Sequence, residues 1–353
     1  MPKKLTKSSN RASRFEMRVL IIGGTRFIGP RVIEQLVTGG YEVTLFHRGQ
    51  TEPALQARVN HIYGDRRDLL SFRAQFKSIR PEVVLDMICY NEPEARALMQ
   101  TFEDIAGRVA VVSSMDVYRA YGCLLGLEAN SPESTPLNEA SPLRTNRFPY
   151  RAQAKNADDM AFDYDKIPVE QVVMNNAGLP GTVLRLPPVY GPGDHRTFEY
   201  LKRMDDGRRA ILLEQNHSHW RWTRGYVDNV AAAIAMAVAD DRAANRIYNV
   251  GEADALTEAE WVRCIGQAAR WTGDVVVLPK ESMPEHLKTP HDFTHHLHCD
   301  TNQIRQELGY EEQITRDEAM KRTVEWEHAH APDQVVEDPF NYAEEDAVLG
   351  GLA

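Results

Sequence analysis

Residues 19–29 read VLIIGGTRFIG. This wholly apolar run breaks into glycines and then opens a helical pattern, which predicts a strand, a tight turn and a helix N-terminus. Gly23 permits the turn, Gly24 lets a phosphate approach the backbone, and Gly29 lets the helix pack closely on the strand. The free N–H groups and the dipole of the helix favour an anion. The stretch therefore predicts a pyrophosphate-binding loop.

One position departs from the usual GxxGxxG spacing, because Arg26 stands where the middle glycine is expected. A plain strand-to-helix turn without a ligand is the simpler interpretation. The context favours the loop: residues 31–37 continue at helical spacing, and YEVTLF at residues 41–46 predicts a second buried strand that ends where the ribose of a dinucleotide would lie.

Apolar runs rich in β-branched residues alternate with helical segments as far as about residue 185. The predicted strands are VLIIG, EVTLF, VNHIYGD, EVVLDMI, RVAVVSS and TVLRL. This alternation is typical of a parallel sheet with both faces covered. The fold class is therefore α/β, a doubly wound Rossmann sheet with a smaller C-terminal lobe.

Four segments are expected along the chain. They are a disordered N-terminal extension (1–16), a nucleotide-binding Rossmann domain (17–185), a substrate-binding lobe (186–330) and an acidic C-terminal tail (331–353). The first segment is basic and polar, so an upstream start codon, a basic interaction arm or a transit peptide are alternatives.

Composition narrows the class of partner. The chain has 353 residues, of which 42% are hydrophobic and 26% charged, with a net charge of −10. An acidic chain repels a phosphate backbone, so nucleic acid is a minority expectation. The sequence lacks an apolar stretch of membrane-spanning length and a signal-peptide core. We expect a soluble cytoplasmic protein.

Metal binding is not expected. The four cysteines are scattered without a CxxC pair, which suggests a reducing compartment and neither disulfides nor a zinc site. The histidines of HDFTHHLHCD (residues 291–300) lack a committed ligand spacing and are interpreted as loop residues.

Further motifs resemble the extended short-chain dehydrogenase/reductases, which include nucleotide-sugar epimerases, dehydratases and reductases. The motifs are GD at 64–65, VVSSMDVY at 111–118, LRLPPVYGPG at 184–193, GYVDNVA at 225–231, YNVG at 248–251 and LGY at 308–310. The GGTRFIG loop is similar to that of an atypical branch of this superfamily, the NAD-dependent epimerase/dehydratase family.

The resemblance implies a serine, a tyrosine and a lysine four residues after the tyrosine, which share a helix face so that the ammonium lowers the tyrosine pKa. Ser114 and Lys166 match, but Phe162 stands four residues before Lys166. Tyr164 is two residues before the lysine, and Tyr150 is five before Lys155, so neither pair shares a helix face. Either one tyrosine reaches in from a non-helical segment or the standard relay is absent.

An alternative proton carrier is implied by the resemblance at Asp116, which matches the second member of the acidic pair in the dehydratases of the family, whereas Met115 stands at the first. Its alternative role is to cap the following turn. The catalytic candidates are thus Ser114, Tyr164, Lys166, Tyr150 and Asp116.

The resemblance also implies cofactor contacts. They are Gly23, Gly24, Thr25, Arg26, Phe27, Ile28, Gly29, His47, Arg48, Asp65, Arg66, Ser113 and Lys166. Asp65 would accept from the adenine amino group. NAD-users of the family keep a carboxylate at the end of the second strand, but this chain has His47 and Arg48 there. Because Arg26 and Arg48 would pair with a 2′-phosphate, NADP is favoured over NAD.

The substrate expected from the resemblance is a nucleotide-linked or phosphorylated sugar that reacts at a hydroxyl or carbonyl, in a homodimeric enzyme. Its predicted contacts are Asn176, Tyr190, Arg221 and Arg224. A helix cap is the alternative role of Asn176. The rival function is a non-catalytic NAD(P)-binding regulator or a stem-loop RNA-binding protein, which the altered loop and the broken Tyr/Lys spacing favour.

Overall fold

The computed structural model describes residues 16–52, 55, 58–332 and 340–351. Parallel strands form its centre. In chain order the strands of the described residues are β1 (Glu16–Ile22), β2 (Tyr41–His47), β3 (Asn60–Tyr63), β4 (Val83–Asp86), β5 (Arg108–Ser114), β6 (Gly181–Leu186), β7 (Val189–Tyr190), β8 (Ala210–Glu214), β9 (Gly225–Tyr226), β10 (Arg246–Asn249) and β11 (Asp274–Leu278).

Helices connect these strands. They are α1 (Ile28–Thr38), α2 (Arg73–Ile79), α3 (Glu92–Phe102), α4 (Arg119–Leu124), α5 (Met160–Asp163), α6 (Lys166–Met174), α7 (Phe198–Asp205), α8 (Gln215–His219), α9 (Val227–Ala239), α10 (Glu258–Ala268), α11 (Asn302–Leu308), α12 (Arg316–Ala329) and α13 (Tyr342–Gly350). None of the helices in the described chain combines the length and the apolar character that a membrane crossing requires.

The main sheet has seven strands in the order β10-β6-β5-β4-β1-β2-β3, and all of its pairings are parallel. The order reverses at β1, because β2 and β3 lie on one side of it and β4 and the later strands on the other. Such a reversal opens a crevice at the carboxyl ends of the strands. All six predicted strands are present, so the predicted doubly wound Rossmann sheet is confirmed.

The alternation of side chains along β1 explains why the sheet is covered on both faces. Val19 and Ile21 pack into one apolar cluster with helices α1 and α9, whereas Leu20 and Ile22 pack into a second cluster with α3 and α6. All four side chains are buried. A strand that is buried on both faces is apolar along its whole length, which is the pattern read from VLIIG.

The segment expected to form a second lobe, 186–330, also contributes to the Rossmann domain. It supplies β10 to the edge of the main sheet and α9, which packs against α1. The rest of it holds two small parallel sheets, β8 with β11 and β7 with β9. The expected boundary at residue 185 therefore divides the sheet, because its seventh strand comes from the later segment.

The structure describes little of the predicted N-terminal extension but part of the predicted C-terminal tail. The extension at 1–16 lies outside the described residues except for Glu16, which begins β1. Within the expected tail at 331–353, residues 340–351 include α13, whose Glu345 is buried. Glu345 Oε1 accepts from Arg203 Nε at 3.1 Å and lies 3.2 Å from His286 Nε2. The described part of the tail is thus a docked helix, held by the buried ion pair of Arg203 with Glu345, which the acidic composition did not indicate.

Candidate active site

The loop after β1 is shaped by its glycines. Gly23 and Gly24 have φ angles of +84° and +77°, which favour glycine, and the Gly23 N–H donates to the carbonyl oxygen of Phe46 at 3.0 Å. A Cβ atom on Gly29 would lie 2.2 Å from the carbonyl oxygen of Gly24. The first turn of α1 therefore lies directly against the loop, and any side chain at position 29 would separate them.

Arg26 and Phe27 complete the loop. The Arg26 side chain is exposed, and its Nη2 donates to Oγ1 of Thr51 at 3.2 Å. Phe27 precedes α1 with a φ of +47°, and no side chain accepts a hydrogen bond from the first turn of the helix. The Gly29 N–H donates to the carbonyl oxygen of Arg26 at 3.0 Å, and Pro30 has no N–H, so Ile28 is the residue of this first turn whose N–H can be offered to an anion.

A cavity of about 510 Å³ lies over this loop at the carboxyl ends of β1, β2 and β4. Its walls include Gly23, Gly24, Thr25, Arg26, Phe27, Ile28, His47, Arg48, Asp65, Arg66, Met87, Tyr90 and Val112. Gly29, Ser113 and Lys166 are the predicted cofactor contacts that are not among its lining residues. We call this space the loop cavity.

Asp65 is held by its neighbour Arg67. Asp65 Oδ1 accepts from the backbone N–H of Arg67 at 2.9 Å, and Oδ2 accepts from Arg67 Nη2 at 2.8 Å. These bonds with Arg67 lower the pKa of Asp65 to about 2. The carboxylate caps the short 3₁₀ helix at Arg66–Phe72 and remains on the cavity wall as an anion.

Arg66 turns inward. Its side chain is buried and forms an ion pair with the fully buried Asp86 at the end of β4, and its Nη1 lies 3.5 Å from Oε2 of Glu94. A buried carboxylate requires such a partner. The guanidinium expected to flank the adenine is therefore engaged by the core, although Arg66 also contributes to the cavity wall.

At the end of β2, His47 is buried and Arg48 is exposed. Burial lowers the pKa of His47, so this ring is neutral at pH 7 and Arg48 supplies the charge at this position. His47 Nε2 lies 2.8 Å from His61 Nδ1. With Glu52 these two histidines form the one group in the described chain whose possible metal-ligand atoms lie within 4.8 Å of one another. The histidines at 291–298 do not form such a group.

The candidate catalytic residues gather at the end of β5. Asp116 lies in a 3₁₀ turn directly after the strand, and its backbone N–H donates to Ser114 Oγ at 3.2 Å. The hydroxyls of Tyr150 and Tyr164 both donate to Asp116 Oδ2, at 2.9 and 2.8 Å. One carboxylate oxygen thus binds both candidate tyrosines. We call Ser114, Asp116, Tyr150 and Tyr164 the Asp116 centre.

The phenols of this centre keep their protons. Burial and the charge of Asp116 raise the pKa of Tyr150 and Tyr164 far above the usual value, and a hydrogen bond with Ser114 opposes the shift of Tyr164 in part. The Tyr121 hydroxyl lies 3.0 Å from that of Tyr150. Because the single proton of Tyr150 goes to Asp116, Tyr121 is the donor in this second bond.

Arg144, from the long loop after α4, contacts Asp116 in the Asp116 centre. Its Nε donates to the backbone carbonyl of Asp116, and its Nη2 lies 3.9 Å from Asp116 Oδ1. Neither Nη2 nor Oδ1 has a hydrogen-bond partner among the described residues, although both atoms are buried. Buried polar atoms without partners are costly, so this pair retains hydrogen-bonding capacity beside the tyrosines.

Lys166 begins α6, and Tyr164 precedes that helix, so the helix-face relation of the family does not apply to them. Lys166 Nζ donates to the carbonyl oxygens of Cys89 at 2.7 Å and Val112 at 2.8 Å, and lies 5.7 Å from the Tyr164 ring centroid. Burial lowers the pKa of Lys166. The ammonium is thus bound to the sheet end and does not contact the Tyr164 hydroxyl.

The profile of the NAD dependent epimerase/dehydratase family matches residues 19–251. The chain belongs to this family. Two thirds of the chain lie within that match, and it covers both the loop cavity and the Asp116 centre.

The sequences of curated relatives have low identity to this chain. The 2'-dehydrokanamycin reductase of Streptomyces kanamyceticus is 24% identical over 285 residues, which are 77% of this chain and 72% of the relative. The chloroplast stem-loop binding protein of 41 kDa b of Arabidopsis thaliana is 23% identical over 250 residues, 67% of this chain and 58% of the relative.

Solved structures of epimerases and dehydratases share the fold. A UDP-glucose-4-epimerase from Stenotrophomonas maltophila, with bound NAD, has a TM-score of 0.67 and 15% identity, and the match covers 90% of this chain and 99% of that one. DesIV, a dTDP-glucose 4,6-dehydratase from Streptomyces venezuelae, has a TM-score of 0.63 and 22% identity, with 89% and 97% covered.

Three predicted ligand contacts of this epimerase/dehydratase family member have hydrogen-bond partners within the protein. Ser113 donates to Glu170 Oε1 at 2.5 Å within a buried network with Arg185, because its side chain faces α6. Asn176 follows α6, and its side chain caps the turn before β6, at the edge of the sheet opposite the loop cavity. Tyr190 is buried and donates to Glu252 Oε1 at 2.7 Å.

The predicted phosphate-binding arginines are also engaged. Arg224 is buried in an ion pair with Glu258, and its guanidinium carbon lies 4.4 Å from the centroid of Trp261. Arg221 Nη1 donates to the carbonyl of Ala255 at 2.6 Å and lies 3.7 Å from Glu260 Oε2. Buried charges need partners, so a diphosphate would have to displace a carboxylate from Arg224.

A second cavity, of about 400 Å³, lies between α4, α7, α8 and residues 283–293. Its walls include Tyr121, Glu199, Tyr200, Glu214, His217, Trp220, Trp222 and Phe293. Tyr121 connects it to the Asp116 centre through Tyr150. We call this space the aromatic cavity.

Sequence reasoning missed Tyr121, Arg144 and the carboxylates of the aromatic cavity. Tyr121 lies three residues after Tyr118, but the Tyr118 hydroxyl donates to Asn249 outside the centre, so this spacing does not indicate the role of Tyr121. Arg144 lies in a long loop of irregular sequence, and no local pattern indicates that it turns back to Asp116.

Proposed function

We propose that this protein binds a nicotinamide dinucleotide in the loop cavity and carries out redox chemistry at a sugar hydroxyl or carbonyl beside the Asp116 centre. The observation that carries the proposal is that the loop cavity and the Asp116 centre lie next to each other. Val112 and Tyr90 line the loop cavity, and Lys166, two residues after Tyr164, donates to Val112 and lies 4.7 Å from the Tyr90 ring centroid.

The loop fits a pyrophosphate by its backbone. Gly23 and Gly24 adopt positive φ angles, and α1 begins with no side-chain cap on its first turn. Loops of this form with a helix N-terminus bind phosphates through N–H groups. The Gly24 backbone and the Ile28 N–H would hold the pyrophosphate. Lys166 lies behind the cavity wall at Val112 and Tyr90, and the N–H that its two carbonyl bonds leave would hold the nicotinamide ribose.

A bound nicotinamide supplies or accepts the hydride, so the chain itself must handle one proton. In alcohol oxidation, a tyrosine hydroxyl takes the proton of the substrate hydroxyl as it gives its own proton to Asp116 Oδ2. In carbonyl reduction, Asp116 in its acid form returns that proton by the reverse path. The raised pKa values of Tyr150 and Tyr164 favour this transfer over a standing tyrosinate.

The proton path thus differs from the Tyr/Lys relay of the family. In that relay an ammonium stabilises a tyrosinate, but here Lys166 lies on the face of the Tyr164 ring and a carboxylate receives the phenol proton. Ser114, which accepts from the Asp116 N–H, stands at the strand end to orient the reacting oxygen.

The choice of NADP over NAD rests on charge at the end of β2. Arg26 and Arg48 line the loop cavity with exposed side chains. NAD-users keep a carboxylate at the end of β2 that would repel a 2′-phosphate, but this chain has the neutral His47 there. Guanidinium groups form charge-assisted bonds with phosphate.

The rival function is a non-catalytic NAD(P) binder that recognises structured RNA. Its support is the similarity to a stem-loop binding protein. The net charge of −10 opposes it, and the shared carboxylate of two tyrosines has no evident use in it.

Deuteride transfer tests the proposal. The protein is incubated with 4-deuterated NADPH and ketosugars, both nucleotide-linked and simple glycosides, and product deuterium is measured by mass spectrometry. We expect transfer with at least one ketosugar and at least about a hundredfold slower transfer with Asp116→Asn, which still binds NADPH. Failure to bind any dinucleotide contradicts the proposal, as does NADPH binding without transfer together with a salt-sensitive RNA complex.

A further inference from the structure

We propose that the aromatic cavity binds an amino-substituted sugar ring, and that the substrate is a cationic glycoside without a diphosphate. The inference rests on the proposed function, whose substrate class it names. The cavity reaches the Asp116 centre, because Tyr121 lines it and its hydroxyl lies 3.0 Å from that of Tyr150.

Two carboxylates in the cavity wall have no cation partner among the described residues. Glu214, at the end of β8, is 8% exposed, and its Oε1 accepts only the backbone N–H of Asn216, at 3.0 Å. Glu199, on α7, is exposed. A carboxylate that is nine-tenths buried without a cation is costly, and an ammonium group in the cavity would relieve that cost.

The arginine and the lysine of the same wall are already paired. Arg203 contacts Glu345 at 3.1 Å, and Lys288 contacts Glu285 at 2.8 Å. Each of these carboxylates lies outside the cavity lining. The charge left over in the described wall is therefore negative.

Three histidines line the wall, and His286 lies 3.0 Å from Glu344, a residue outside the lining. Burial lowers the pKa of both His217 and His291, although Glu258 and Glu214 act in the opposite direction on His217. Both rings are therefore neutral at pH 7. Since Arg221 and Arg224 do not line the cavity, its described residues offer a diphosphate no open guanidinium.

Trp222 and His217 are partly exposed in this cavity, and the buried rings of Trp220 and Phe293 pack behind them. The ring centroids of Trp220 and Trp222 are 4.9 Å apart, and His217 stacks on Phe293 with centroids 4.1 Å apart. Aromatic faces attract ammonium groups through their quadrupole, and they pack against the C–H face of a pyranose. Together with two carboxylates, they form a site that discriminates by positive charge.

The test measures the binding of three probes to the NADPH-loaded protein by isothermal titration calorimetry. They are the β-1,4-linked glucosamine disaccharide, its N,N′-diacetyl derivative and UDP-glucose. The two disaccharides share a skeleton and differ in charge, so their comparison isolates the amines. We expect the diamine to bind at least about tenfold tighter than either other probe, as charged hydrogen bonds imply.

Variants locate the binding. Glu214→Gln preserves the acceptor for Asn216, so it is expected to weaken diamine binding about tenfold while it leaves NADPH affinity unchanged. Glu199→Gln is expected to act in the same direction. Glu311→Gln changes an exposed carboxylate outside this cavity and is the matched control.

The outcomes separate this inference from the function on which it rests. If NADPH binds and UDP-glucose binds tighter than the diamine, the substrate class is wrong and the redox function stands. If the diamine binds but Glu214→Gln and Glu199→Gln leave its affinity unchanged, the assigned cavity is wrong. If NADPH itself does not bind, the failure lies with the proposed function.

Discussion

The hydroxyl of Tyr164 donates to Oδ2 of Asp116 at 2.8 Å, although the two residues lie 48 positions apart in the chain. This bond brings the segment before α6 to the end of β5. It replaces the contact with Lys166 that the family pattern predicts, because the lysine is bound to Cys89 and Val112.

Asp116 is expected to receive the proton in alcohol oxidation. Asp116→Asn preserves the size of the side chain but cannot take the proton, so kcat is expected to fall by about 10²- to 10⁴-fold. The dissociation constant of the dinucleotide and the melting temperature are the controls, and neither should change greatly. A kcat within threefold of wild type would rule out this role.

Tyr150 and Tyr164 are expected to act as a coupled pair. Both donate to the same oxygen, so removal of one leaves Asp116 Oδ2 with the other. A double-mutant cycle on kcat with Tyr150→Phe and Tyr164→Phe should therefore give a coupling energy of about 0.5–3 kcal/mol. Additive effects would show that the tyrosines act independently.

Gly29 should not tolerate a side chain. A Cβ there would lie 2.2 Å from the carbonyl oxygen of Gly24, so Gly29→Ala must displace either α1 or the loop. We expect a loss of about 1–3 kcal/mol in the free energy of unfolding and weaker dinucleotide binding. Gly350→Ala, whose Cβ would have no atom within 4 Å, is the control. Wild-type affinity in Gly29→Ala would contradict the geometry of the loop.

Asp65 should contribute stability that depends on pH. Its hydrogen bonds with Arg67 lower its pKa from 3.8 to about 2 in the folded state, so the contribution is present above about pH 4 and is lost as the pH falls towards 2. After allowance for a side chain that is a quarter exposed, it amounts to about 1 kcal/mol.

The variant Asp65→Asn keeps an acceptor for the Arg67 N–H but loses the charge. Urea unfolding at pH 7 and at pH 2 should show a difference from wild type at pH 7 that is mostly lost at pH 2, where the folded-state carboxyl is about half protonated. A difference of equal size at both values would assign the effect to the cap and not to the charge.

The fold was predictable because its signals are local. VLIIG and EVTLF are apolar along their whole length, as strands buried on both faces must be, and the glycines at positions 23, 24 and 29 mark the turn and the close helix. The edge strand β10 was missed, since Arg246–Asn249 pairs with β6, a strand that lies about 60 residues earlier in the chain, and no local pattern indicates so distant a pairing.

The candidate site was predictable only as a set of residue types. Ser114, Asp116, Tyr150 and Tyr164 were all singled out from sequence, but that both tyrosines bind one oxygen depends on tertiary packing. Arg66, Arg224 and Tyr190 were predicted to contact ligands, and the sequence does not show that buried carboxylates engage all three. These carboxylates are Asp86, Glu258 and Glu252. Long-range charge pairs of this kind leave no local pattern.

The central claim is that the loop cavity binds a nicotinamide dinucleotide and prefers the 2′-phosphate. Isothermal titration of the protein with NADPH and with NADH tests it most directly. We predict that NADPH binds at least about tenfold tighter, and that Arg48→Ser removes most of the difference while NADH affinity is unchanged. Tighter binding of NADH, or no binding of either dinucleotide, would contradict the account.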